Sequence, residues 1–165
     1  MKVAFRADAS LAIGTGHVMR CLTLADALRE HGAESIFVCR DHVGNLHQVV
    51  QDRGYRLLSL GGAILSSPAE GFYAQWLGTE TQRDADDPIK LLVGHEVDWM
   101  IVDHYGIDAA WERSLRPTCG RMMVVDDLAN RDHAVNLLLD QNLGAKEADY
   151  EARVTSACKL LLGPS

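Results

Sequence analysis

The sequence predicts an α/β domain built on a mainly parallel, doubly wound sheet. Two observations carry that prediction. Apolar strand-like runs alternate with amphipathic helical stretches almost throughout, and several of the runs are continuously apolar. A continuous run suits a strand covered on both faces. No internal repeat or low-complexity tract breaks the alternation.

Lys2 to Ala7 is a short apolar strand, and a loop from Asp8 to Gly16 follows. A helix from His17 to His31 is expected, because Val18, Cys21, Leu22, Ala25 and Leu28 recur at the helical period. Gly32 is a natural stop. Glu34 to Arg40 is a second strand, Val43 to Arg53 a second helix ended by Gly54, and Tyr55 to Leu60 a third strand. Gly, Ser and Pro punctuate Gly61 to Glu70, which reads as loop. Thr79 to Gly94 is helical, and Pro88 after Asp87 predicts a break into two short helices. Asp98 to Asp103 is a strand, Ile107 to Leu115 a helix and Arg121 to Val125 a strand. Val135 to Leu139 and Lys159 to Leu162 complete the set of strands.

The 165 residues fit a single domain, 1–165, and 47% hydrophobic residues supply a core. A formal net charge of -7 argues against nucleic-acid and membrane-surface partners, since both need a basic face. It leaves room for an anionic small substrate held by a few arginines. No run approaches a membrane span, and an acidic residue, Asp8, stands where a signal peptide would be apolar. The expected location is cytoplasmic. Cys21, Cys39, Cys119 and Cys158 are widely spaced in apolar runs and read as reduced core thiols, with zinc ligation disfavoured. Trp76, Trp99 and Trp111, set among apolar residues, read as core.

In an open parallel sheet, ligands bind outside the carboxyl ends of the strands. Asp8 and Gly14-Thr15-Gly16-His17 follow the first strand, Arg40-Asp41-His42 the second, Asp103-His104-Tyr105-Gly106 the fourth and Asp126-Asp127 the fifth. Gly14-Thr15-Gly16 departs from the dinucleotide fingerprint, because it begins about seven residues after the strand and Met19 stands where a third glycine is needed. It reads instead as a loop that brings backbone N–H groups to a ligand. His17 falls in the first helical turn, where the positive helix end, with Arg20 and Arg6 nearby, favours a neutral imidazole able to accept a proton. The alternative is a capping histidine; the adjacent glycines and the crevice favour function. Tyr105, with Asp103 and His104, could orient a sugar or a water; an aspartate merely capping a turn is the equal alternative for Asp103. Asp126 and Asp127 point to opposite sides of the chain and lack metal-ligand spacing, so no metal and no cofactor is expected. His31, His42, His47, His95 and His133 read as surface or structural.

Arg6-x-Asp8, Ile13-Gly14-x-Gly16-His17-x-x-Arg20-Cys21-Leu22, Val102-Asp103-His104-Tyr105-Gly106 and Asp126-Asp127-Leu128-Ala129-Asn130-Arg131 together resemble the hydrolases of pseudaminic acid biosynthesis. Those enzymes act on UDP-2,4-diacetamido-2,4,6-trideoxy-β-L-altropyranose. The motifs occur in the family's order and span essentially the whole chain; a shorter Gly-x-Gly-His is shared with other glycosyltransferase-superfamily members. The resemblance implies a Rossmann-like N-terminal domain of a GT-B fold. It implies His17 as general base and Tyr105 close to the sugar, with Asp8, Gly14, Thr15, Gly16, Arg20 and Asp103 on the substrate. The expected partners are the UDP-sugar and a C-terminal nucleotide-binding domain, which this chain does not contain. Two rival functions are a GT-B glycosyltransferase, in which His17 would deprotonate an acceptor hydroxyl, and a non-catalytic Rossmann-like binding module.

Overall fold

A computed structural model describes residues 1–62 and 73–164. Seven strands are described: β1 (Lys2–Ala7), β2 (Glu34–Asp41), β3 (Arg56–Gly62), β4 (Val97–Asp103), β5 (Cys119–Val125), β6 (Leu137–Asp140) and β7 (Lys159–Leu162). They form one sheet in the order β3-β2-β1-β4-β5-β6-β7, and every pairing is parallel. The chain winds outward from β1 to β3, returns to β4 on the other side of β1, and winds outward again. The order therefore reverses between β1 and β4, where Ala7 and Asp103 lie in register. A crevice opens at such a reversal.

Alternating side chains divide the core into two layers. Val3, Phe5, Ala7, Ile101, Met123 and Val125 meet Val18, Cys21, Leu22 and Ala25 of α1 (Gly16–Glu30) on one face. Ala4, Met100, Val102, Met122 and Val124 meet Ala85 and Leu92 of α3 (Thr81–Leu92) and Trp111 and Leu115 of α4 (Ala109–Leu115) on the other. Asp108 caps α4, accepting from the N–H groups of Ala110 and Trp111 at 2.9 and 3.2 Å.

Several elements differ from expectation. α2 is shorter, His47–Asp52, because Gly44 takes a left-handed φ of 82° and Asn45 turns the chain, its side chain accepting from the His47 N–H at 3.0 Å. α3 runs unbroken through Pro88. The proline ring is buried with Asp84, Ala85 and Leu92 on the packed side, and that burial offsets the hydrogen bond that proline cannot donate. A four-residue α5 (Glu147–Tyr150) was not expected; Tyr150 is fully buried and places its hydroxyl 2.9 Å from both the Asp126 carbonyl and the Asp140 carboxylate. Beyond Gly62, the expected loop to Glu70 lies outside the described residues. Cys21 and Cys39 are core thiols as expected, and burial pushes both up; Cys119 and Cys158 are only half buried.

Candidate active site

α1 begins at Gly16, so the N–H groups of its first turn have no partner within the helix. Gly14 takes φ 81° and donates its N–H to Ser10 at 2.8 Å, closing the loop that delivers the helix start. Gly16 has an ordinary φ, and a Cβ there would meet nothing within 4 Å. Thr15 makes no side-chain cap bond.

His17 sits one residue inside the helix with 7% of its side chain exposed. Its Nδ1 is 2.6 Å from Asp103 Oδ1 at the end of β4. Arg20, one turn on, donates Nε and Nη2 to the two oxygens of Asp103, both at 2.7 Å. A carboxylate facing Nδ1 accepts a proton from it, which leaves Nε2 as the basic nitrogen. That nitrogen has no hydrogen-bond partner among the described residues. Burial opposes the charge on Asp103, but His17 and Arg20 outweigh it and hold the carboxyl below its usual range. Tyr105 packs edge-on against His17, with ring centroids 4.6 Å apart, and donates its hydroxyl to Asp127 at 2.5 Å. Burial and the Asp127 charge push the Tyr105 phenol well above its usual value. Tyr73 and Trp76 extend this aromatic wall, Trp76 stacking on Tyr105 at 5.8 Å and standing 6.2 Å from His17.

Beside this cluster lies a buried ionic network. Asp84 of α3 accepts from Arg6 of β1 (3.3 and 2.9 Å), Arg40 of β2 (3.2 and 2.8 Å) and the Trp111 indole (3.0 Å). Arg6 also lies 2.6 Å from Asp8, and Asp8 accepts the Arg40 N–H at 2.7 Å. Burial resists ionisation of Asp8, yet Arg6 and the adjacent His104 and His42 hold it well below the usual range. His104 accepts the Gly106 N–H on Nδ1 at 3.0 Å and faces Asp8 through Nε2 at 3.4 Å; burial lowers its pKa. At Gly106 a Cβ would stand 2.6 Å from the Tyr73 carbonyl, so the turn carrying Tyr105 admits no side chain there.

No family model matches the sequence. The chain is nevertheless similar to one half of a nucleotide-sugar hydrolase. It is 29% identical over 163 residues, 99% of its length, to the UDP-2,4-diacetamido-2,4,6-trideoxy-β-L-altropyranose hydrolase of Campylobacter jejuni. It is 22% identical over 127 residues, 77% of its length, to an uncharacterized protein of Methanocaldococcus jannaschii. The chain spans 50% of the first relative and 22% of the second. The chain has the α/β, Rossmann-like architecture that the resemblance implied, consistent with an N-terminal GT-B domain.

The structure brings His17, Arg20, Asp103 and Tyr105 into one cluster and sets Gly14, Thr15 and Gly16 on the exposed loop leading to it. It gives Asp8 and Asp103 protein partners; both are fully buried. Trp76, read as core, stands half buried beside His17, whereas Trp111 is core. Sequence reasoning missed Asp84 and weighed Asp127 only as a metal ligand, not as the partner of Tyr105. Asp127 was visible as a polar residue after a strand; Asp84 gave no signal, because an aspartate in a charged helical stretch reads as surface. Among the described residues no group of three or more candidate ligands could hold a metal, and no helix is long and apolar enough to cross a membrane.

Proposed function

We propose that the chain is the catalytic-base half of a UDP-sugar hydrolase that releases UDP and 2,4-diacetamido-2,4,6-trideoxy-L-altrose. The observation that carries this reading is the His17–Asp103 pair at the sheet reversal, with Nε2 unclaimed among the described residues and a similar hydrolase to supply the chemical class. A water gives its proton to His17 Nε2 while its oxygen bonds to the anomeric carbon. The bond from that carbon to the UDP oxygen breaks, and UDP leaves with the electron pair. Asp103 holds the imidazole in the productive tautomer and faces the positive charge it gains. Arg20 fixes Asp103 by its two-pronged grip. The Gly14–Gly16 loop and the first-turn N–H groups of α1 favour the anionic ligand, and the Tyr105 wall flanks the sugar. In this reading uridine recognition falls to a second domain; that the chain spans 50% of the similar hydrolase supports it by leaving room for one.

Hydrolysis in oxygen-18 water by the two-domain protein tests the bond. Label in the sugar supports attack at carbon; label in UDP would mean attack at phosphorus. His17→Ala should lower turnover by about a hundredfold or more with the fold intact. Near-normal turnover would remove His17 from the chemistry.

A further inference from the structure

Two supports hold the His17 imidazole, and both run to one further carboxylate. The first is Asp103, which takes Nδ1 at 2.6 Å and is gripped by Arg20; Arg20 Nη1 then lies 3.9 Å from Asp127 Oδ2. The second is the Tyr105 ring, edge-on to the imidazole at 4.6 Å, whose hydroxyl is held by Asp127 Oδ1 at 2.5 Å. An acceptor at one ring nitrogen leaves an imidazole free to swing about that bond. A second ring packed on its flank removes the swing, provided that ring is itself anchored. Tyr105 is half buried; Tyr73 and Trp76 pack against its ring, and the hydroxyl bond to Asp127 fixes the far end of that ring.

The geometry points to Asp127 as a positioning residue for His17, acting through the Tyr105 hydroxyl and, more weakly, through Arg20. It rests on reading His17 as the base. The loop that carries Asp127 is stiffened from behind. The preceding Asp126 is fully buried, accepts the Ala129 N–H at 3.0 Å and pairs with Arg131 at 2.7 Å. Asp126 thus ties the loop to the fold while Asp127, 17% exposed, serves Tyr105. A residue doing this work changes how precisely Nε2 is aimed, and misplacing a reacting group by about 1 Å can cost a hundredfold in rate.

The test uses NMR on the 165-residue chain and needs no substrate. The proton on His17 Nδ1, held by Asp103, is expected to exchange slowly with water while the ring is fixed. Asp127→Ala should speed that exchange by about tenfold or more, the scale on which supporting residues act, with the circular dichroism spectrum unchanged. Asp127→Asn keeps an oxygen for the Tyr105 hydroxyl and should retain slow exchange. Tyr105→Phe removes only the hydroxyl, should match Asp127→Ala, and should add little in combination with it; it also serves if Asp127→Ala fails to fold. In the active two-domain protein, Asp127→Ala should lower kcat about 10- to 100-fold with KM little changed, and Asp127→Asn should rescue it. Unaltered exchange in both Asp127→Ala and Tyr105→Phe would overturn the proposal whatever the activity. Faster exchange with unaltered kcat would uphold Asp127 as the positioning residue and sink the reading of His17 as base.

Discussion

Removing Asp84 should unfold this domain more readily than removing any exposed charge. The carboxylate has no exposed surface and accepts five donors, from Arg6, Arg40 and Trp111. Deleting one partner of a buried ion pair costs about 3–5 kcal/mol, because the remaining charge stays buried without compensation. Here two arginines would be stranded, but each keeps something: Arg6 keeps Asp8 at 2.6 Å, and Arg40 keeps Asp87 at 3.2 Å and the Leu60 carbonyl at 3.0 Å. The lower end, about 3 kcal/mol, is therefore expected for Asp84→Ala. With a urea slope of about 2 kcal/mol/M, the midpoint should fall by about 1.5 M. Asp84→Asn keeps the volume and loses the charge, so it should retain most of the loss if electrostatics dominates. Urea titration followed by circular dichroism gives both numbers. An Asp84→Ala midpoint within about 0.3 M of the parent would refute the reasoning, since surface substitutions move stability by about 0.5 kcal/mol.

Gly106→Ala should destabilise by about 1–3 kcal/mol, an overpacking cost, because the new Cβ would strike the Tyr73 carbonyl 2.6 Å away; the same urea titration reads it. His133 gives a pH signature: burial opposes its charge, but Asp126 and Glu112 outweigh burial and raise its pKa above the ordinary value. Its stabilising contribution is therefore complete below about pH 6.5 and declines as pH rises through the raised value. His133→Gln should flatten that decline in a series of urea midpoints. Under the proposed function, hydrolysis measured with the proposed second domain present should survive EDTA; loss on chelation with recovery on adding a divalent ion would count against a water activated by His17 alone.

The fold was legible because parallel sheets write themselves as apolar runs, and β7 has the bounds that its run predicted. The site was legible because strand ends collect polar residues: His17 follows β1, Asp103 and Tyr105 stand at the end of β4, and Arg20 lies one helical turn beyond His17. What those residues do to one another was not legible. That Asp103 faces inward to His17 and Arg20 depends on the β1–β4 register, which no local pattern encodes. Pro88 misled because its helix-breaking tendency is local, whereas the burial that overrides it comes from the sheet. Trp76 misled because apolar neighbours in sequence do not reveal a neighbouring histidine in space. Asp84 was invisible for the same reason, its partners lying 27 to 78 residues away.

The reversal between β1 and β4 also fixes when the site can exist. His17 and Asp103 are 86 residues apart, and the β2 and β3 units must be made before β4 is available to pair beside β1. Closing a flexible segment of that length costs about 4 kcal/mol in chain entropy, recovered only once the β1–β4 ladder and the layers on its two faces have formed. The pair is therefore among the least local contacts in the domain, and contacts of this kind slow folding. A partly folded chain can hold β1, α1 and β2 together and still have no partner for His17. The His17–Asp103 pair therefore exists only when the topology is complete, and a population that has stalled before β4 docks lacks it altogether.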